Sequence, residues 1–359
     1  MPDPTVQKNR LEHLDLFRGV AIWAVVGIHV TGHALRISGL ESWSLLVLEV
    51  INRTLQFAVP CFLFMTALLM TFQALGKPFD PKIFFRKRMK SVVYPYLVWS
   101  VLYVLFTVIT TPMTFGDLLS LERWFLWIAT GKAYYHLYFM VILIQYCLVF
   151  PWIRPFFATE KKSQTLLGAT FGFQLLFYWV NRLWLRIPSI GSVAFWHSTA
   201  FGLGMWVGSR MERWEPFWKG NRTRLMVLWV ATVAVYLPLA LAVLHGTPVN
   251  TFWVAVSNWF FSGLSALNLL GLCSDWTRLP THTKHFSRRL FKMCGTYSLQ
   301  IYLIHPMVIK GLEMAGHHGW PVWNRLSGHA LMFALAMAIP LILGRYLNRT
   351  PLGPWLFGR

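Results

Sequence analysis

Two side chains inside an otherwise apolar stretch are placed to do chemistry. Residues 14–35, LDLFRGVAIWAVVGIHVTGHAL, hold Arg18 near the start of a hydrophobic run and His29 well inside it. Eleven residues at 100° each bring a helix back to nearly the same face, about 20° past three turns. At 1.5 Å per residue the two groups stand about 16 Å apart on one stripe. A guanidinium suits phosphate. An imidazole can take a proton or act as a nucleophile. Ionisable groups are costly in hydrocarbon, so they usually face a bundle interior and mark a site or pathway. The plainer alternatives are an Arg18 that snorkels to the headgroups and a His29 that is packed and hydrogen-bonded. That the two share one face weighs against both.

A second imidazole lies far along the chain. In GTYSLQIYLIHPMVIK, Ser298, Tyr302 and His305 fall at i, i+4 and i+7, one polar stripe on an apolar helix. Counted from the same side of the membrane, His305 lies about 18 Å in and His29 about 22 Å in, so two distant histidines reach similar depth. A basic run, FFRKRMK, brings Arg86, Arg88 and Lys90 to a membrane surface. There it binds either anionic lipid headgroups or a phosphate-bearing substrate. Arg53, with Asn52 and Gln56, is either an interfacial anchor or part of a binding surface. The stretch YYHLYF sets His136 and Tyr138 in what reads as an interfacial aromatic belt or a substrate surface. His317, His318 and His329 read as surface residues of one loop. His29 and His33 are four apart but lack a third ligand, so no metal site is expected.

These groups need elements to hold them, and composition says which. The chain has 359 residues, is 56% hydrophobic and only 13% charged, and its mean hydropathy is +0.49. That belongs to an all-α polytopic membrane protein, because helices satisfy their own backbone in lipid. Ten spans are expected, near 14–35, 54–75, 90–111, 134–154, 164–184, 193–209, 224–244, 252–272, 291–313 and 327–346. They form a single membrane-embedded domain, 1–359, with short tails 1–13 and 347–359. The first span reads as a retained anchor. Pro60 is expected to kink or open the second. The segment around LLSLERWFLWI reads as an amphipathic helix on the membrane.

A net charge of +20 would point to nucleic acid in a soluble domain, but here the basic residues sit in short runs between spans. With the N-terminus inside, 24 of the 33 Lys and Arg fall on the cytoplasmic side and 8 outside. That bias puts both termini in the cytoplasm of a cell-membrane protein and excludes a nucleic-acid partner. The four cysteines lack paired spacing and read as free thiols.

Four stretches together carry a family resemblance. LDLFRGVAIWAVVGIH, PCFLFMTALLM, RKRMKSVVYPYLVW and GTYSLQIYLIHP resemble the signatures of the integral-membrane acyltransferase 3 family, bacterial O-acyltransferases of envelope and exopolysaccharide sugars. YHLYF and AFGLGMWVG are also similar, so the likeness covers most of the chain. Two departures stand out. Where the family's second span ends in Ser-Gly, this chain has Thr66-Ala67, and one family basic position falls on Ser91 or Val92.

The resemblance implies transfer of an acyl group, usually acetyl, from cytoplasmic acetyl-CoA to a hydroxyl of an envelope glycan or lipid-linked sugar. It implies Arg18 and His29 as the essential pair, with His305 and Tyr302 in support. A basic mouth of Arg18, Arg86, Arg88 and Lys90 would hold the CoA phosphates, with Asp15 orienting Arg18. His29 would act as general base or carry the acyl group. Tyr302, Ser298 or His305 would stabilise the oxyanion. His136, Tyr138 and Arg53 are the candidate acceptor contacts. Membrane lipids are expected partners, and a homodimer is left open. The competing readings are a lipid-sugar flippase or polysaccharide exporter without acyl transfer, and a non-catalytic scaffold.

Overall fold

The computed structural model describes residues 4–36, 42–75, 78–111, 115–157, 160–279, 285–316 and 325–358. In chain order its helices are α1 (Pro4–Ala34), α2 (Ser42–Thr54), α3 (Ala58–Ala74), α4 (Pro81–Arg88), α5 (Tyr94–Thr110), α6 (Leu121–Thr130), α7 (Tyr138–Ile153) and α8 (Glu160–Val180). There follow α9 (Ser198–Gly208), α10 (Trp214–Leu244), α11 (Thr251–Arg278), α12 (His285–Thr296), α13 (Ser298–Gly316), α14 (Leu326–Leu347) and α15 (Gly353–Phe357). Among the described residues no strand forms. Seven segments are long and apolar enough to cross a bilayer: Glu12–Ala34, Ser42–Ala74, Pro81–Thr110, Tyr138–Phe157, Met211–Leu244, Thr251–Arg278 and Leu326–Leu347. The other three expected positions hold α8, the short α9 and the α12–α13 pair, which are helical but do not combine that length with that apolarity. The chain is an all-α, multi-pass membrane protein.

It divides into two compact units: Met1–Met65 with Arg210–Arg345, and Thr66–Ser209 with Tyr346–Arg359. In the first unit α1 is the central rod. Leu16, Phe17, Ala21, Ile22 and Val26 are each fully buried, as a helix apolar on most faces must be. α2 joins it and leads into α3, so the second span begins twelve residues earlier than its hydropathy suggests, at Ser42 instead of 54. The irregularity expected at Pro60 lies just ahead of it, as a 3-10 turn at Leu55–Phe57. Pro60 itself occupies the first turn of α3, where its missing N–H costs nothing.

In the second unit the glycine-rich α9 lies against α8, with Gly202 facing the Thr170 side chain, and Gly208 meets the Leu68 backbone. Tyr146 of α7 stacks on Phe201 at 3.8 Å. A π-helical turn, Met89–Val93, joins α4 to α5 immediately before Pro95. The expected tail 347–359 is in part a docked helix. Trp99 Nε1 donates to Leu356 O at 2.8 Å, Phe357 is 1% exposed, and Gly358, at φ +70°, leaves no room for a Cβ beside the Lys90 carbonyl. α6 forms within the expected amphipathic segment and leaves Leu121, Phe125 and Leu126 exposed.

Candidate active site

Two glycines fix the register of the first unit. A Cβ on Gly19 would strike the Phe291 carbonyl, and one on Gly295 would strike the Asp15 carbonyl and come within 3.0 Å of Gly19 N. The backbones of α1 and α12 therefore touch, as small residues allow in membrane bundles. Below this contact Arg288 Nε donates to Glu12 Oε1 at 2.9 Å, with Lys292 Nζ at 3.6 Å. Seven residues separate Glu12 from Gly19, and seven separate Arg288 from Gly295. Equal steps in the same direction mean that α1 runs parallel to α12 and its continuation α13.

Ten residues beyond each glycine stand His29 and His305, about 15 Å further on. Their rings stack with centroids 5.2 Å apart and planes 29° apart. His305 is fully buried, whereas His29 is half-buried. His305 Nδ1 lies 3.0 Å from Ile301 O. A carbonyl only accepts, so Nδ1 carries the hydrogen and the neutral ring presents Nε2 as its basic atom. The Tyr302 ring lies 6.4 Å from that of His305. Ser298 opens α13, two turns before His305 and about 10 Å from it along the axis. Arg18 pairs with Asp15 at 3.4 Å, and the two side chains remain 33% and 26% exposed. A pair so exposed contributes at most ~1 kcal/mol, so it orients Arg18 more than it stabilises the fold.

Asn52 braces this arrangement, a role its sequence position hid. Its Nδ2 donates to Ile28 O at 3.0 Å and to Thr31 Oγ1 at 2.9 Å, on either side of His29. Gln56 Nε2 in turn reaches Asn52 O at 3.3 Å. The polar group at 52–56 is thus largely spent on holding α1. Arg53 is half-buried; its carbonyl accepts from Tyr236 OH at 3.1 Å, and its Nε has no hydrogen-bond partner among the described residues. His329 corrects the surface reading: it is 2% exposed, with its ring 6.2 Å from that of His33. His317 and His318 lie outside the described residues.

The remaining candidates belong to the second unit. Arg86 and Lys90 are exposed, while Arg88 turns inward, its guanidinium 5.2 Å from the centre of the Phe84 ring. His136 is 1% exposed and walled by aromatic rings, with Tyr103 at 4.8 Å, Tyr135 at 5.7 Å and Tyr134 at 5.9 Å. Tyr138, half-buried, begins α7 against the left-handed turn at Gly131. All four cysteines are buried and free. Among the described residues no group of His, Cys, Asp and Glu has the makings of a metal site.

Comparison with known proteins identifies the family. A family model described as an acyltransferase domain, Acyl_transf_3, matches residues 11–345. Among curated proteins, the chain is 24% identical over 352 residues to the probable poly-beta-1,6-N-acetyl-D-glucosamine export proteins of Staphylococcus aureus strains MSSA476 and N315. Those alignments cover 94% of this chain and 91% of each relative. No solved structure matches. The matched span takes in the whole Arg18–His29 segment and all but the last two residues of α14, and so the chain belongs to the acyltransferase 3 family of membrane proteins.

Proposed function

We propose that the protein is a membrane O-acyltransferase that moves an acyl group, in the first instance acetyl, from acyl-CoA to a hydroxyl of an envelope glycan or lipid-linked sugar. The observation that carries this reading is the His29–His305 stack, two imidazoles from opposite ends of the chain held at one depth by a glycine-to-glycine helix contact. His29, the half-buried ring, takes the acceptor proton or accepts the acyl group. His305, its tautomer set by Ile301 O, turns a basic nitrogen away from the backbone and steadies its neighbour. Tyr302 is the candidate donor to the oxyanion. Arg18, about 16 Å along the same stripe, suits a donor phosphate, and that distance matches an extended pantetheine arm better than a small donor. Arg53 is the candidate acceptor contact within the first unit, and the exposed Arg86 and Lys90 are a separate candidate phosphate-binding group within the second. In the cell membrane the termini would be cytoplasmic.

The test is acyl transfer by purified protein in liposomes, with acetyl-CoA as donor and a β-1,6-linked N-acetylglucosamine oligomer as acceptor. Thiol release that depends on protein and on acceptor, and that His29→Ala abolishes, is expected. A well-inserted His29→Ala protein with normal turnover overturns the reading. The relatives' printed name favours a second reading, export of a polysaccharide without acylation. Transport of the oligomer with no thiol release would establish that one instead.

A further inference from the structure

One turn beyond His29, the first unit carries a second layer of ionisable groups that acyl transfer as drawn does not use. His33 on α1 is 5% exposed, and its Nε2 lies 4.0 Å from Glu313 Oε2 on α13. Glu313 Oε2 also accepts from Lys310 Nζ at 3.2 Å. On the third side, His329 of α14 offers its ring at 6.2 Å, with Nδ1 donating to Arg325 O at 3.1 Å. Arg36, three residues beyond His33 with its N–H on the His33 carbonyl at 3.0 Å, is a further charge at this end of α1. The buried Nδ1 of His33 and Nε2 of His329 have no hydrogen-bond partner among the described residues. Polar atoms left so inside a membrane protein are costly, and ionisable ones there commonly mark proton paths. Accessibility rises along the series, from a His33 side chain 6% exposed to a Glu313 side chain 31% exposed.

We propose that His33 and Glu313 form a proton exit for the reaction at His29. The inference rests on the acyl transfer proposed above. In that transfer the acceptor O–H bond and the thioester C–S bond break, and an ester C–O bond forms. The hydroxyl proton passes to His29, then one turn along α1 to His33, then to the Glu313 carboxylate and to water. The thiolate takes its own proton from water where it departs, so the overall reaction stays balanced. Lys310 Nζ, 3.2 Å from Glu313 Oε2, pairs with the carboxylate at the accessible end of the relay. His329 closes the third side of His33 without a carboxylate of its own. His33 and Glu313 touch neither substrate; they act through His29.

The experiment compares wild type, Glu313→Gln, Glu313→Asp and His33→Gln in liposomes, by thiol release from acetyl-CoA with the N-acetylglucosamine oligomer. Both amide variants are expected to lower kcat at least tenfold with KM for acetyl-CoA unchanged, to flatten the pH dependence of kcat and to raise its solvent deuterium isotope effect. Glu313→Asp is expected to recover most of the rate. Wild-type kcat, pH profile and isotope effect in Glu313→Gln would overturn the relay even if His33→Gln failed to fold, because Glu313 lies at the accessible end. A loss confined to KM would overturn it as well. Wild-type protein that releases no thiol would instead remove the acyl-transfer reading, and the relay with it.

Discussion

His29 and His136 are both histidines in apolar sequence, yet the structure treats them differently. His29 faces a second imidazole and stays half-buried, while His136 is sealed by Tyr103, Tyr134 and Tyr135 at 1% exposure. The surroundings of His136 come mostly from its own short segment, Tyr134 and Tyr135 being adjacent in sequence. The partner of His29 comes from the other end of the chain. Local clustering produced a packed ring, whereas long-range register set a part-exposed ring against a buried one, and the part-exposed ring is what group transfer needs.

The largest expected break in this contrast is His29→Ala, which should cost about 10²–10⁴-fold in turnover as a lost proton-transfer group. His136→Phe should keep transfer and appear only in thermal unfolding, destabilising by about 1–3 kcal/mol because a larger ring overpacks a sealed pocket. Lost transfer in His136→Phe would erase the distinction. Next come Gly19→Ala and Gly295→Ala. Each forces two backbones apart at a cost of about 1–3 kcal/mol, and a displacement of 1 Å at the histidines should lower kcat about a hundredfold. Gly168→Ala and Gly172→Ala, which meet nothing within 4 Å on α8, should be neutral or stabilise by about 1 kcal/mol, as helix propensity dictates. Smaller again is Asn52→Ala. It should lose ~0.6 kcal/mol in unfolding, typical of an interhelical hydrogen bond in lipid, with a several-fold fall in kcat at unchanged KM. Smallest is Asp15→Asn, with at most ~1 kcal/mol lost from a part-exposed ion pair and a modest rise in KM for acyl-CoA.

Much of this was readable from the amino-acid sequence. Helical periodicity and hydropathy gave an all-α membrane bundle, and a spacing of eleven residues put Arg18 and His29 on one face. Depth counting placed His29 and His305 near one level, but it could not say that the rings would meet. That depends on Gly19 and Gly295, whose close approach leaves no trace in hydropathy. The cluster of Asn52, Arg53 and Gln56 resembled an interfacial anchor or a binding surface because polarity alone does not reveal a partner; Asn52 binds a carbonyl and a hydroxyl of α1, and Gln56 binds Asn52. His329 read as a loop residue because it lies three residues into α14, where helix ends and loops look alike in sequence. The C-terminal segment is polar at its end, and it is the indole of Trp99 and the burial of Phe357 that make it a docked helix.

The parallel pairing of the first and penultimate long helical stretches has a consequence for biogenesis. A ribosome adding about 5–20 residues per second makes His29 roughly 15–55 s before His305. Any reaction that requires both rings is therefore silent until almost the whole polypeptide has been threaded into the bilayer. A nascent or prematurely terminated chain would carry the early histidine without the means to use it on the cell's thioester pool.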